Sequence, residues 1–296
     1  MPKKVNFLNF NDINEKAQTI KKWALPKSDN HDLIITLCTN GYIDYVLNLM
    51  FYLKKLALDQ NICIFCTDSF SQQTLQKYEI DTFLFSATWN PSTERKQVLY
   101  KGSGWKEVVA TKIEIVFCLL QLGFNVIWTD GDVVWLKNPI EDLRRQIRGC
   151  DIAYQITGLL PDNTIWDQEM QKWKGEAPLD YTKQGSAPIP NMCAGFYYAR
   201  SCSKTKHLFN PERIDPNTFL LEEHHLNPLL RADGIRVSML HPRDYPNGKL
   251  WMSANNGVTD PFIIHYNYVS GSDKIAKMKE YGHWNLAELN NRVVGK

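Results

Sequence analysis

Two aspartates separated by one glycine follow directly on an apolar segment in the middle of the chain. Residues 124–136 have the sequence FNVIWTDGDVVWL, and Asp130 and Asp132 lie at its centre. In an extended chain, residues two apart point to the same face, about 6–7 Å from each other. Burying two unpaired carboxylates costs several kcal/mol for each, so a cation is expected beside them. Carboxylate oxygens bind divalent metal ions well, and the pair therefore predicts a metal site.

Polar residues also follow two other predicted strands. Thr39 and Asn40 come directly after the first strand, residues 33–38, and His265 ends the last strand, residues 261–265. Ligands of open α/β sheets bind beyond the carboxyl ends of the strands, so these residues are expected near the two aspartates. Two carboxylates and a neutral imidazole suit Mn²⁺ better than Ca²⁺, and Mg²⁺ is the alternative. Such a set leaves metal positions open for the oxygens of a diphosphate ester.

A lysine and a glycine near the C-terminal end extend this prediction to a phosphate. Lys274 lies nine residues after His265, at the start of a predicted helix, where a helix N-terminus favours anions. Gly271 permits close approach of the backbone to a ligand. Taken singly, these residues have structural explanations as well. His265 could be satisfied within the fold, Lys274 could be a solvated charge, and Lys112 could reach water from the edge of its helix.

The elements that must position these residues are those of an α/β fold. Continuously apolar strands alternate with amphipathic helices, which predicts a Rossmann-like, mainly parallel central sheet with helices on both faces. Strands are predicted at 33–38, 62–66, 82–85, 152–156, 194–198 and 261–265, and helices at 13–23, 105–122, 219–230 and 273–281. A further helix, with apolar residues between positions 46 and 58, is predicted after the turn at 39–41, and the aspartate pair is predicted within a strand that follows Gly123 and ends at Asn138-Pro139. We expect a single domain over residues 1–296, with residues 1–30 peripheral.

Residues 157–190 lack clear periodicity and contain Trp166 and Trp173. A long segment of this kind is often a lid or a binding loop. A small subdomain with its own packing is the alternative.

The composition excludes some classes of partner. The 296 residues carry a formal net charge of +2, so no strong field for polyanions is present and nucleic acid is not expected as a partner.

No apolar run has the length of a signal peptide or a transmembrane segment, which predicts a cytoplasmic protein.

Several motifs resemble those of one enzyme family. Lys112 together with residues 123–139 resembles the core of the nucleotide-diphospho-sugar transferases grouped as glycosyltransferase family 77. Other motifs of that family are matched in the same order, over a span of about residues 33 to 285: residues 36–48, 151–155, 191–201, 245–248 and 265–274.

The resemblance implies a GT-A fold and a metal-dependent transfer of sugar, with retention at the anomeric carbon, from a nucleotide diphosphate. The donor is expected to be a UDP-sugar and the acceptor a hydroxyl of a glycan or glycoconjugate. It also implies roles for single residues: Asp130, Asp132 and His265 for the metal, Thr39 and Asn40 for the nucleotide, Lys274 and Lys112 for the diphosphate, Gln155 and Asn191 near the donor sugar. The family commonly has an Asp-Gln pair where this chain has Glu222 and Glu223, a departure that could change the preference for sugar or acceptor.

Two other functions are compatible with the aspartate pair. Residues 130–134 also fit the Asp-x-Asp-x-[Thr/Val] motif of haloacid-dehalogenase-like phosphatases, although no Gly-Asp-x-x-x-Asp motif follows. A binding module for sugar nucleotides or glycans, without catalysis, is the third hypothesis. Phosphate release from a generic ester would favour the phosphatase, and binding without turnover would favour the module.

Overall fold

The computed structural model describes residues 10–85, 105–157, 179–180, 191–215, 219, 221–253 and 258–286. Within these ranges the helices are α1 (Phe10–Ala24), α2 (Ile43–Lys55), α3 (Ser69–Gln76), α4 (Trp105–Gln121), α5 (Ile140–Gln146), α6 (Ser203–Leu208), α7 (Glu222–Ala232), α8 (Gly248–Trp251) and α9 (Gly271–Glu280). The strands are β1 (Asp32–Cys38), β2 (Ile62–Cys66), β3 (Thr82–Leu84), β4 (Asn125–Thr129), β5 (Val133–Trp135), β6 (Ile152–Ile156), β7 (Leu179–Asp180), β8 (Met192–Ala199), β9 (Arg236–Met239) and β10 (Ile263–His265).

An eight-stranded sheet forms the centre of the described structure. Its strand order is β3-β2-β1-β4-β8-β6-β9-β7. The four strands from β3 to β4 are parallel, and β8 runs antiparallel to both of its neighbours, β4 and β6. The carboxyl ends of β1, β4 and β6 and the start of β8 consequently meet at one edge, which we call the carboxyl edge.

Both faces of this sheet are covered by apolar side chains. Along β1, Leu33 and Ile35 pack in one core cluster with α4, and Ile34 packs in the other with α2. This alternation follows from the two-residue repeat of a strand. Helix α4 was expected to bury one stripe, but residues 109–120 are all buried, including Lys112.

The α/β architecture and its main elements are confirmed, with three corrections. The aspartate pair does not lie within one strand: Asp130–Asp132 is the turn between β4 and β5, which belong to different sheets. His265 does not end a strand of the central sheet, because β10 pairs antiparallel with β5 in a separate two-stranded sheet. The prediction also missed the strands β7 and β9 and the short helices α3, α5, α6 and α8. The proposed lid lies almost wholly outside the described residues, as do Trp166 and Trp173.

No helix in the described ranges is both long enough and apolar enough to cross a membrane. The cytoplasmic location stays a prediction.

Candidate metal centre

A tight turn carries the two aspartates from the central sheet to the small one. The Asp130 N–H donates to Gly195 O (2.8 Å), and the Val133 N–H donates back to Asp130 O (3.1 Å). Gly131 packs against the first turn of α2, where an added Cβ would lie 3.3 Å from Val46 Cγ2. The glycine therefore lets the turn approach α2 closely, and the turn holds both carboxylates at the carboxyl edge.

Asp130, Asp132 and His265 come together at this turn. Each offers one ligand atom, and the three atoms lie within 4.8 Å of one another. His265 Nε2 is 3.5 Å from Asp132 Oδ1. Asp132 and His265 are buried, and Asp130 is half-buried, so the cluster has one open side. Two carboxylates and an imidazole in this arrangement can hold a divalent metal ion.

One oxygen of Asp130 is bound from behind the cluster. Asp130 Oδ1 accepts from Trp128 Nε1 (2.8 Å) and from Lys112 Nζ (3.0 Å). The Lys112 ammonium also contacts Glu222 Oε1 at 2.5 Å and lies 4.8 Å from the centre of the Trp128 ring. Burial alone would lower the pKa of Lys112, but Asp130 and Glu222 raise it well above its ordinary value. Lys112 is thus a charged, buried partner of two carboxylates rather than a residue that reaches water.

Asp132 is bound in the same manner by the start of α9. The Lys274 ammonium contacts Asp132 Oδ2, and both side chains are buried. Burial would raise the pKa of Asp132, but the neighbouring Lys274 ammonium lowers it well below its usual value. The carboxylate is therefore ionised at neutral pH, as a metal ligand must be.

His265 lies in a close-fitting recess formed by β8. A Cβ at Gly195 would lie 2.6 Å from His265 Nε2 and closer still to Cε1, so only glycine leaves room for the imidazole. His265 Nδ1 is 2.8 Å from Gln155 Oε1 and 3.5 Å from Cys193 Sγ. The ring consequently presents Nε2 to Asp132 and Nδ1 to the protein interior.

The predicted nucleotide residues lie at the end of β1. Thr39 is buried, and the Asn40 N–H donates to Asp68 Oδ2 (3.1 Å). Asp68 also accepts from the Ser71 N–H (2.7 Å) and so caps α3. One carboxylate therefore joins the ends of β1 and β2. Tyr42 follows this turn, and its pKa is raised by burial and by the charges of Asp132 and Asp130.

The remaining predicted residues differ in burial and in hydrogen-bond partners. Gln155 is fully buried behind His265, whereas Asn191 is exposed and its Oδ1 accepts from Arg231 Nη2 (2.6 Å). Glu223 Oε1 accepts from the Ala194 N–H (3.1 Å). Gly271 begins α9 with φ +56°, a conformation that favours glycine.

Sequence reasoning did not find Gly195, Trp128 or Asp68. A glycine inside an apolar strand often marks close approach of another group, and this signal was present for Gly195. The partners of Trp128 and Asp68 depend on side-chain contacts that no local pattern specifies.

This chain is similar in sequence to proteins that are named as galactosyl- and xylosyltransferases. The UDP-galactose:fucoside alpha-3-galactosyltransferase of Dictyostelium discoideum is 26% identical over 86% of this chain and 43% of its own length. The UDP-D-xylose:L-fucose alpha-1,3-D-xylosyltransferase 3 of Arabidopsis thaliana is 21% identical over 91% of this chain and 69% of its own. The chain thus spans less than half of the first relative.

The solved structures to which this chain is similar include mouse xyloside xylosyltransferase 1 in its apo form. It has a TM-score of 0.46 and 12% identity, covering 80% of this chain and 98% of that one. The model of the nucleotide-diphospho-sugar transferase family matches residues 57–280, more than half of the chain. That match includes the aspartate turn, His265 and Lys274, and it agrees with the predicted GT-A type of fold. The chain therefore belongs to the nucleotide-diphospho-sugar transferase family.

Proposed function

We propose that this protein is a metal-dependent, retaining glycosyltransferase that moves a sugar from UDP to a hydroxyl of a fucose-containing glycan. The observation that carries the proposal is the cluster of Asp130, Asp132 and His265, flanked by two buried lysines at the carboxyl edge. Mn²⁺ is the ion that suits this ligand set best, with Mg²⁺ as the alternative. Family membership supports a nucleotide-diphospho-sugar as the donor.

Each charged group has a role in the proposed reaction. A divalent ion in the cluster would neutralise charge on the diphosphate. Lys274, in the first turn of α9, adds a positive charge beside Asp132, where the diphosphate would lie. Lys112 compensates Asp130 and Glu222 and holds them in place. These residues stabilise the charge that builds up on the departing oxygen.

The bond changes balance without a protein base. The bond between the sugar C1 and the diphosphate oxygen breaks, and its electron pair stays on that oxygen. The acceptor hydroxyl oxygen forms the new bond to C1 on the same face of the sugar. Its proton passes to the departing phosphate oxygen. Retention at C1 is the stereochemical outcome of this path.

The relatives support one acceptor more clearly than one donor. The Dictyostelium relative is named for galactose transfer to a fucoside, and the Arabidopsis relatives for xylose transfer to L-fucose. The donors differ, but fucose as acceptor and an α-1,3 linkage are common to these names. We therefore propose an L-fucosyl acceptor with an α-1,3 linkage and leave the donor open between UDP-galactose and UDP-xylose.

The test is an assay of the purified protein with each donor, an L-fucoside and Mn²⁺. We expect UDP release together with an α-1,3-linked product, and the loss of both with EDTA or in Asp132→Asn. Asp260→Asn is the matched control, because Asp260 is an exposed acid paired with Lys137. Absence of product from every donor and acceptor tried would overturn the proposal.

Two further measurements test the other hypotheses. Phosphate release from a simple ester without turnover of a sugar nucleotide would indicate the phosphatase. Calorimetric binding of a UDP-sugar without turnover would indicate a binding module. The family match supports neither over a transferase.

A further inference from the structure

The least exposed of the predicted site residues is also the one that contacts His265 most directly. Gln155 is fully buried at the end of β6, and its Oε1 lies 2.8 Å from His265 Nδ1. The resemblance places this residue near the donor sugar, but a side chain enclosed behind the imidazole has no surface to offer a substrate. Its contacts call for a different role.

Two backbone carbonyls determine which way the Gln155 amide points. Gln155 Nε2 lies 3.0 Å from Tyr245 O and 3.0 Å from Pro246 O. Carbonyl oxygens only accept hydrogen bonds, so the NH₂ group must face them and Oε1 must face His265. The opposite orientation would set Oε1 against two other oxygens. The surroundings of Gln155 therefore resolve the usual ambiguity of an amide.

The amide orientation in turn determines the tautomer of the imidazole. Gln155 Oε1 is an acceptor, so His265 Nδ1 must carry the proton in the neutral ring, and Nε2 keeps its lone pair. The second neighbour of Nδ1, the Cys193 thiol, is more distant at 3.5 Å. Nε2 is the atom that faces Asp132 Oδ1 at 3.5 Å. The lone pair thus points into the metal cluster.

The segment that provides these two carbonyls, Tyr245-Pro246, also holds the backbone of His265. The His265 N–H donates to Pro246 O (3.1 Å), the carbonyl that accepts from Gln155. Tyr245, the preceding residue, anchors the segment because its hydroxyl donates to Asp142 Oδ2 (2.8 Å). Side chain and backbone of His265 are therefore held by one anchored segment.

We propose that Gln155 is a positioning residue that fixes His265 in the tautomer with a free Nε2, and that it does not contact the donor sugar. The proposal rests on His265 being a metal ligand, as in the proposed function. Partners of this kind typically contribute about 10–100-fold to metal affinity.

The test uses the metal-free protein first. A long-range ¹H–¹⁵N correlation spectrum at about pH 8, where an ordinary imidazole is neutral, distinguishes protonated from unprotonated ring nitrogens. The signals of His265 are assigned by their loss in His265→Gln. We expect the proton on Nδ1 in the native protein and a mixture of tautomers in Gln155→Met. A native ring that carries its proton on Nε2 instead of Nδ1 would overturn the proposal. This outcome is read from the native protein, so it needs neither Gln155→Met nor a metal.

Metal affinity is measured next, by electron paramagnetic resonance titration with Mn²⁺ alone. We expect the Kd of Gln155→Met to rise about 10–100-fold. Asn48→Leu is the control: Asn48 is a buried amide that bonds His283 O and the Asn285 N–H, and neither bond involves a metal ligand or Gln155. It should lose thermal stability while keeping the native Kd and tautomer. An unchanged Kd and tautomer in Gln155→Met would overturn the inference alone, whereas no Mn²⁺ binding by the native protein would overturn the proposed metal site.

Discussion

Lys274 and Asp132 form a buried ion pair inside the candidate metal centre, with only 10% and 6% of their side chains exposed. Removing one member leaves the other charge buried without its partner. In Lys274→Met, measured without metal, we expect the free energy of unfolding at pH 7 to fall by about 3 kcal/mol. The pKa of Asp132 is held below its usual value. The ion pair therefore makes its full contribution to the free energy of unfolding above about pH 4, and this contribution is lost as the pH falls further.

Urea unfolding at a series of pH values checks this prediction. The difference between native protein and variant should be large near pH 7 and should narrow on acidification. Lys277→Met is the matched control, because Lys277 lies in the same helix but forms an exposed pair with Glu280. A control that destabilises as much as Lys274→Met would show that the loss comes from the helix rather than the ion pair.

Lys274 also allows a test of the diphosphate site that is independent of stability. Hydrogen bonds to charged groups contribute about 1.5–3 kcal/mol. Lys274→Ala should therefore weaken the binding of UDP by roughly 10-fold or more while changing the binding of uridine little. Isothermal titration calorimetry with both ligands in the presence of Mn²⁺ measures this, with Lys277→Ala as the control. Equal losses for UDP and uridine would remove the lysine from the phosphate site.

At the scale of elements, β8 determines where His265 can lie. Gly195 leaves the space that the imidazole fills, and Gln155 closes the other side of the ring. Because the imidazole has no free space beside it, the methyl group of Gly195→Ala should force His265 out of its native position, with a cost of about 1–3 kcal/mol in stability and a weaker affinity for Mn²⁺. The double variant Gly195→Ala/His265→Ala removes the clash. We expect the double variant to lose less unfolding free energy than the two single variants lose in sum, and strict additivity would contradict the close fit.

The elements also show what could be predicted from the sequence. Asp130, Asp132 and His265 were expected together because each ends an apolar segment, and the structure brings them together. The break between β4 and β5 was missed although Asp130-Gly131 is a common turn pair, because the apolar residues on both sides of it continue the pattern of one strand. The antiparallel direction of β8 was missed because a fully buried strand is continuously apolar whichever way it runs in the sheet.

Contacts across long stretches of sequence escaped prediction for a related reason. Lys112 was placed at a helix edge, whereas the structure pairs it with Glu222, 110 residues away. A lysine among the apolar residues of a buried helix must have an acidic partner, so the sequence could indicate that a partner exists. It could not say which acid, because that depends on how α4 and α7 pack.

For the whole molecule, the metal centre joins segments that are far apart in the chain. Asp132 lies on the turn that enters the small sheet, and His265 lies on the strand that pairs with β5. A metal held by both aspartates and His265 binds the folded state and not the unfolded chain, so it must stabilise the fold as a whole. At 100 times its Kd, a ligand of this kind adds about 2.7 kcal/mol.

This predicts that Mn²⁺ at that excess raises the Tm by roughly 5 °C or more. Differential scanning fluorimetry with Mn²⁺, Mg²⁺ and Ca²⁺ measures the shift, and the mixed oxygen and imidazole ligands favour the largest shift with Mn²⁺. His265→Gln should lose most of it, because one ligand of three is gone, whereas Asp260→Asn should keep it. If His265→Gln shifts as much as the native protein, the stabilising ion is bound elsewhere, since a site built on His265 cannot hold the metal equally well without its imidazole.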